Sequence, residues 1–244
     1  MPSAVIVIPI VQPELRDFER VSLARCMKVL GTWPVCVIAP EQLDLSEALG
    51  SYAERIRIVR FDPGCFRSIA AYNRLMTSLE FYKMFDSYDF MLLYQLDAFV
   101  FEDRLAEWCQ KGFDYIGAPA FNGEGFEALA KEEANVYARA LSTHRLVFNG
   151  GLSLRKIAGI KRLLRVYNTC YPSWKGNEDM LFSLDSTRLL PLKPFMKLPG
   201  WEEALSFSFE RSPAASYEIN GCRLPFGCHA WQRYDPGFWA QFIY

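Results

Sequence analysis

A chain of 244 residues, 51% hydrophobic and 23% charged, is long enough to bury a large core and has the balance of an ordinary globular protein. Its formal net charge of −1 excludes a general attraction to nucleic acid or to an anionic membrane, so any phosphate recognition must be local. No apolar segment approaches the ~20 residues that span a bilayer, and Met1-Pro2-Ser3 runs straight into Val5–Ile10 without the basic region or cleavage site of a signal peptide.

Val5–Ile10, a β-branched run closed by Pro9 and Pro13, reads as a first buried strand. Glu14 to Leu30 has helical spacing and stops at Gly31. Val35–Ala39 is a second strand, Leu43 to Tyr52 a short helix or irregular turn, and Ile56–Phe61 a third strand ended by Asp62-Pro63-Gly64. Ile69 to Phe85 carries the apolar stripe of one amphipathic helix. Phe90–Tyr94 is an unbroken apolar run, the pattern of a strand covered by helices on both faces, and it ends in Gln95-Leu96-Asp97.

Beyond this point the spacing predicts a helix from Asp103, as N-cap, to Lys111, then a short strand over Tyr115–Pro119. A glycine-bearing loop over Phe121–Gly125, a charged helix over Glu127–Leu141 and a glycine-interrupted strand over Phe148–Arg155 follow. A basic helix over Lys156–Tyr167 leads to the loop Pro172–Asp179, and turn signals dominate from Pro191 onward. The alternation of strand and helix predicts an α/β fold with a mostly parallel, doubly wound central sheet flanked by helices, in one domain over residues 1–244. Seven scattered cysteines with no CxxC pair are expected to be free thiols in a reducing cytoplasm. Cys222 and Cys228 near His229 make only a weak zinc pattern.

Three polar islands interrupt the apolar background: Gln95–Asp97, Gly176–Asp179 and Gly227–Trp231. Asp97 stands at the carboxyl end of a buried strand, where open α/β sheets place ligands; it reads either as a ligand group or as the cap of the following turn. Asp97 and His229 offer carboxylate oxygen and imidazole nitrogen, suited to a divalent ion on a diphosphate if folding joins them; a packed core histidine is the plainer reading of His229. His144 lies in a charged segment and reads as a surface residue. Glu178 and Asp179 read either as a helix N-terminus offsetting the dipole or as a general base for a hydroxyl. Asn149-Gly150-Gly151 lets backbone approach a ligand or forms a bulge. The absence of Walker A, GxGxxG, GxSxG and HExxH patterns weighs against the commoner nucleotidase, dehydrogenase, esterase and metalloprotease chemistries.

Val7-Ile8-Pro9-Ile10, Tyr72-Asn73-Arg74-Leu75, Tyr94–Phe99, Tyr115–Pro119, Asn149–Gly151, Asn177–Asp179 and Leu224–Trp231 together resemble a bacterial glycosyltransferase family with the Rossmann-like GT-A fold. The resemblance implies transfer of a sugar from a nucleotide-diphosphate donor, a UDP-sugar first among them, to a hydroxyl of a polysaccharide or glycoconjugate acceptor, with inversion. It implies a nucleotide-binding half over about 1–101 and an acceptor-side half over about 102–244. It places Pro9, Ile10, Tyr72, Asn73, Arg74, Gln95, Asp97, Asn149, Gly150 and Gly151 on the donor, Mn²⁺ or Mg²⁺ on Asp97 and His229, and the base at Asp179 with Glu178 as second choice. Trp174 and Trp231 read either as sugar-stacking surfaces or as core residues. Gln95 stands where GT-A enzymes usually carry the first aspartate of a DxD motif, which removes one charge from the metal site. A binding module without turnover is therefore one alternative; a sugar nucleotidyltransferase is another, which the plain loop Val11–Glu14 disfavours because it lacks the glycine-rich basic sequence such enzymes need.

Overall fold

The structure, a computed structural model, describes residues 2–120, 147–171, 176–189, 191–192 and 195–243. The expected loop at 121–125, the helix at 127–141, His144 and Trp174 lie outside the described residues. Nine strands and ten helices are labelled here in chain order.

The β-branched runs form the strands expected of them. β1 (Ala4–Pro9), β2 (Val35–Pro40), β3 (Ile56–Phe61) and β4 (Phe90–Tyr94) pair in parallel, with Ile6 opposite both Val35 and Leu92. β6 (Tyr115–Pro119) and β7 (Phe148–Lys156) complete a six-stranded sheet of order β3-β2-β1-β4-β7-β6, in which β7 alone runs antiparallel to its neighbours. The sheet is therefore mostly parallel. Every residue of β4 is buried, as an unbroken apolar run requires.

α1 (Asp17–Val29), the short α2 (Ser46–Leu49), α3 (Ile69–Met76), α4 (Leu79–Lys83) and α5 (Leu105–Lys111) connect the first strands, and α6 (Ile157–Cys170) follows β7. The single helix expected over 69–85 is two helices. Thr77 turns its hydroxyl back to the Asn73 carbonyl, and Ser78 leaves the helix to cap α4 by accepting from Phe81 N at 3.1 Å. Two smaller boundaries also move. Asp103 precedes α5 and accepts from Leu105 N, with Arg104 at the N-cap position. α1 begins at Asp17, three residues later than the spacing suggests.

The sequence did not announce a second sheet. β5 (Ala98–Val100), β8 (Ser208–Phe209) and β9 (Gly227–His229) form it in the order β5-β9-β8, with Ala98 directly opposite His229. Around it α8 (Trp201–Phe207), α9 (Pro213–Ile219) and α10 (Pro236–Ile243) enclose a second apolar cluster containing Phe99, Phe209, Trp231 and Trp239. α7 (Ser186–Arg188) continues a wide π-helical turn over Met180–Asp185. Tyr94 and Ser22 both hydrogen-bond the Ala98 carbonyl, so α1 and β4 fix the start of β5.

Replacing Ser78 with alanine removes the α4 cap. Chemical denaturation is expected to show a loss of about 1 kcal/mol, the ordinary cost of an N-cap serine, without a change in slope.

Candidate active site

Strand order reverses beside β1, between the crossover to β2 on one side and β4 on the other; open α/β sheets form their ligand crevice at such a point. A cavity of about 480 Å³ lies there, within the usual size of small-ligand sites. Of the residues that the resemblance places on the donor, the ion and the base, all line it except Arg74, which is exposed on α3. Residues from both halves of the chain, 9–97 and 149–229, build the wall.

The small sheet explains how residues 132 positions apart meet. Asp97 immediately precedes β5, His229 ends β9, and the ladder places Ala98 opposite His229. His229 Nε2 is 3.1 Å from Asp97 Oδ1 and 3.3 Å from Gln95 Oε1. On the far side of the ring, Nδ1 is 3.4 Å from Glu210 Oε1, an ion-pair distance outside hydrogen-bond geometry. Burial alone would lower the imidazolium, but the Asp97 and Glu210 carboxylates outweigh it and raise its pKa to about 9. Burial likewise pushes Asp97 up, and the His229 contact more than reverses this, leaving Asp97 below the usual carboxylate range.

Donor chemistry decides whether a divalent ion suits this place. Asp97 Oδ1, Gln95 Oε1 and His229 Nε2 meet at one point, two hard oxygens and an imidazole nitrogen, which fits Mn²⁺ or Mg²⁺. Among the described residues no cluster of three or more His, Cys, Asp or Glu side chains forms a site, so the amide oxygen is needed to complete the set. Cys228 alternates away from His229 into the second core, and Cys222 is exposed; the zinc pattern does not assemble.

The glycine pair has a different use from the one its sequence suggests. A Cβ on Gly151 would stand 1.9 Å from His229 Nε2, and one on Gly150 would stand 2.6 Å from Glu178 Oε1. The missing side chains make room for the imidazole and the carboxylate. Asn149 is equally committed: its Oδ1 accepts from Gly151 N at 2.7 Å and its Nδ2 donates to Glu210 Oε1 at 3.0 Å. Asn73 is also occupied, donating from Nδ2 to Asn177 Oδ1 and accepting from Glu178 N, both at 3.0 Å. It pins the Asn177–Asp179 turn to α3.

The two acidic residues of that turn have separate fates. Glu178, 7% exposed, faces the guanidinium of Arg155, which is fully buried, at 3.2 Å. Arg155 also donates to Ser153 Oγ and Tyr82 OH, both at 3.0 Å, and lies against the rings of Tyr115 and Phe182. Among the described residues Asp179 has no such partner; it starts the π-helical turn and accepts from Met180 N at 2.7 Å. Burial, then the Glu178 charge, raise its pKa to about 6 despite that hydrogen bond.

Arg16 and Glu210 escaped the sequence reading. Because α1 starts at Asp17, Arg16 stays in the preceding loop and lines the cavity, held to Glu19 at 2.6 Å. Glu210 lies in Phe209-Glu210-Arg211, which carries no motif. Trp231 is 2% exposed and packs edge-on against Phe18 and Phe99, so it is a core residue and offers no face to a sugar.

A family model described as "Protein of unknown function (DUF5672)" matches residues 55–229. No curated protein matches the chain significantly. Among solved structures, galactosyltransferase LgtC in complex with donor and acceptor sugar analogues is 12% identical with a TM-score of 0.54, over 98% of this chain and 95% of that one. Mouse xyloside xylosyltransferase 1, apo form, is 11% identical with a TM-score of 0.56, over 93% and 97%. A glycosyltransferase involved in glycosylation of the major capsid of PBCV-1 is 9% identical with a TM-score of 0.50, over 99% of both chains. At these identities the shared property is the fold, and it is the GT-A fold.

Arg155→Met leaves Glu178 buried without its cation, and urea unfolding is expected to show a loss of about 3–5 kcal/mol. The double variant R155M/E178M removes both charges and should recover much of that loss; an unchanged deficit would mean that packing rather than charge holds the pair.

Proposed function

The chain belongs to the DUF5672 family, and we propose that it is a glycosyltransferase moving a sugar from a nucleotide-diphosphate donor to a hydroxyl acceptor. The observation that carries this reading is the single cavity at the switch point, which joins Asp97, Gln95 and His229 to an Asp179 carboxylate free to act as a base. We assign the donor to residues 9–97 with Gln95, Asp97 and His229, and the acceptor to the side formed by Asn177–Asp179. A UDP-sugar donor, a polysaccharide or glycoconjugate acceptor and inversion of configuration are parts of the same proposal, as is a single working domain over 1–244.

Asp97, Gln95 and His229 would hold a divalent ion, which when bound supplies positive charge to the leaving diphosphate. Charge balance supports that need. The wall carries four carboxylates, Glu19, Asp97, Glu178 and Asp179, against Arg16 and His229. A diphosphate entering such a wall is repelled unless cationic charge enters with it. Arg16, exposed at the rim, is the side chain placed to meet the donor's phosphates first, in the role the sequence had suggested for Arg74.

Asp179 performs the proton transfer. Its carboxylate accepts the proton of the acceptor hydroxyl as that oxygen bonds to the anomeric carbon. The bond from this carbon to the phosphate oxygen breaks, and its electron pair leaves with the nucleoside diphosphate. A base with a pKa near 6 is ionised at neutral pH yet basic enough to share the proton in the transition state. Glu178 is committed to Arg155, which holds it in place. Asn73 and Arg155 hold the turn, so Asp179 is aimed from a rigid base.

Thermal shift across a panel of nucleotide sugars with Mn²⁺ is expected to show stabilisation by one donor class and release of its nucleoside diphosphate. Binding without turnover would identify a binding module, and no binding of any donor or nucleoside diphosphate, with or without metal, would refute the reading. Asp179→Asn should keep donor binding and lower turnover by about 10²–10⁴-fold. Because the carboxylate must be unprotonated, kcat/KM of the native chain should fall as pH drops through about 6; a flat profile from pH 5 to 8 would remove Asp179 as the base.

A further inference from the structure

Glu210 is 7% exposed, and a carboxylate removed from water in this way must be matched by charge or hydrogen bonds. Among the described residues its ion-pair partner is His229, and no lysine or arginine within bridging distance serves it. Its other contact is the amide of Asn149, which is itself fixed by Gly151 N. The His229 ring thus has Gly151 backbone as its floor, Asp97 and Gln95 in front, and Glu210 behind. Nδ1 is a buried nitrogen whose hydrogen bond is not complete, and Glu210 Oε1 is the acceptor beside it.

We propose that Glu210 is the positioning residue of the metal centre: its carboxylate accepts a hydrogen bond from Nδ1–H of His229, fixing the tautomer that presents Nε2 to a divalent ion, with Asn149 holding Glu210 in register. A ligating imidazole that donates its second nitrogen to a carboxylate is oriented and made a better ligand, and loss of such a partner weakens metal binding by about 10–100-fold. The assignment rests on the reading of Asp97, Gln95 and His229 as the ion's ligands. It also gives a purpose to the amide of Asn149, which links Glu210 to Gly151 N. Glu210 touches neither donor nor acceptor in this scheme; it acts through His229.

The test uses the full chain and Mn²⁺ itself, with free ion read by electron paramagnetic resonance in the presence of UDP. Native protein should bind Mn²⁺, and D97A should not. E210A should bind it about 10–100-fold more weakly, and E210Q, which keeps an acceptor oxygen but loses the charge, should lie between. Imidazole ¹⁵N spectra give a second readout, because the chain has two histidines and H144Q assigns them. With Mg²⁺ and UDP, His229 of the native chain should show one tautomer with its proton on Nδ1, and E210A should show a mixture. Near-native Mn²⁺ affinity and an unmixed tautomer in folded E210A overturn the proposal while leaving the metal reading intact. Absence of Mn²⁺ binding by the native chain overturns the metal reading and this one with it. If E210A does not fold, the near-isosteric E210Q decides: native affinity and an unchanged spectrum count against Glu210.

Discussion

A fully buried guanidinium lies under the floor of the cavity, and much of the site hangs from it. Arg155 lies one residue before the end of the antiparallel strand β7, and its five donors reach Ser153, Tyr82 on α4, the Gly150 carbonyl and Glu178 on the acidic turn. Burying that charge is costly, and only a nearly complete set of partners makes it tolerable. The same set ties helix, sheet and turn into one body. Glu178 becomes the counter-ion of the core, and its neighbour Asp179 is left as the carboxylate with an unspent proton-accepting capacity. Two adjacent acids thereby meet different surroundings, one paired with a buried cation and the other raised in pKa by burial.

A second constraint is purely topological. The main sheet brings the end of β1 beside the end of β4, and the small sheet then folds the distant β9 back against β5. His229 reaches Asp97 because a backbone ladder requires it. Side-chain attraction has only to finish the approach. The tail beyond residue 200 supplies the apolar cluster that keeps this ladder closed, with Trp231 and Trp239 inside it.

Much of this was legible before any coordinates. Unbroken β-branched runs are hard to read as anything but buried strands, so β1, β2 and β4 and the polar ending of β4 emerged directly. The residues at strand ends and in polar islands proved to share one cavity for the same reason: a buried strand leaves its chemistry at its tips. What stayed hidden depends on contacts between remote segments. Arg155 reads locally as the end of a glycine-interrupted strand, and nothing near it in sequence shows that it is buried against Glu178. Glu210 follows a two-residue strand too short to have a period. The break at Thr77-Ser78 is visible only to cap chemistry, which a continuous apolar stripe masks. Asn149-Gly150-Gly151 was visible as a glycine signal but not as two vacant Cβ positions shaped for side chains from elsewhere.

The π-helical turn over Met180–Asp185 closes i→i+5 rings, one residue wider than those of an α-helix, and single turns of this kind are frequent at functional sites. Each residue of an α-helix advances its neighbours by about 100°. Deleting one residue here would restore ordinary winding while rotating everything downstream by that angle, because Asn73 and Arg155 hold the upstream Asn177 and Glu178. The turn thus behaves as a phase adjuster between a fixed floor and a variable wall. A change of length at this one place would re-aim the segment that follows Asp185 while the acidic turn and the sheet beneath it stay where they are.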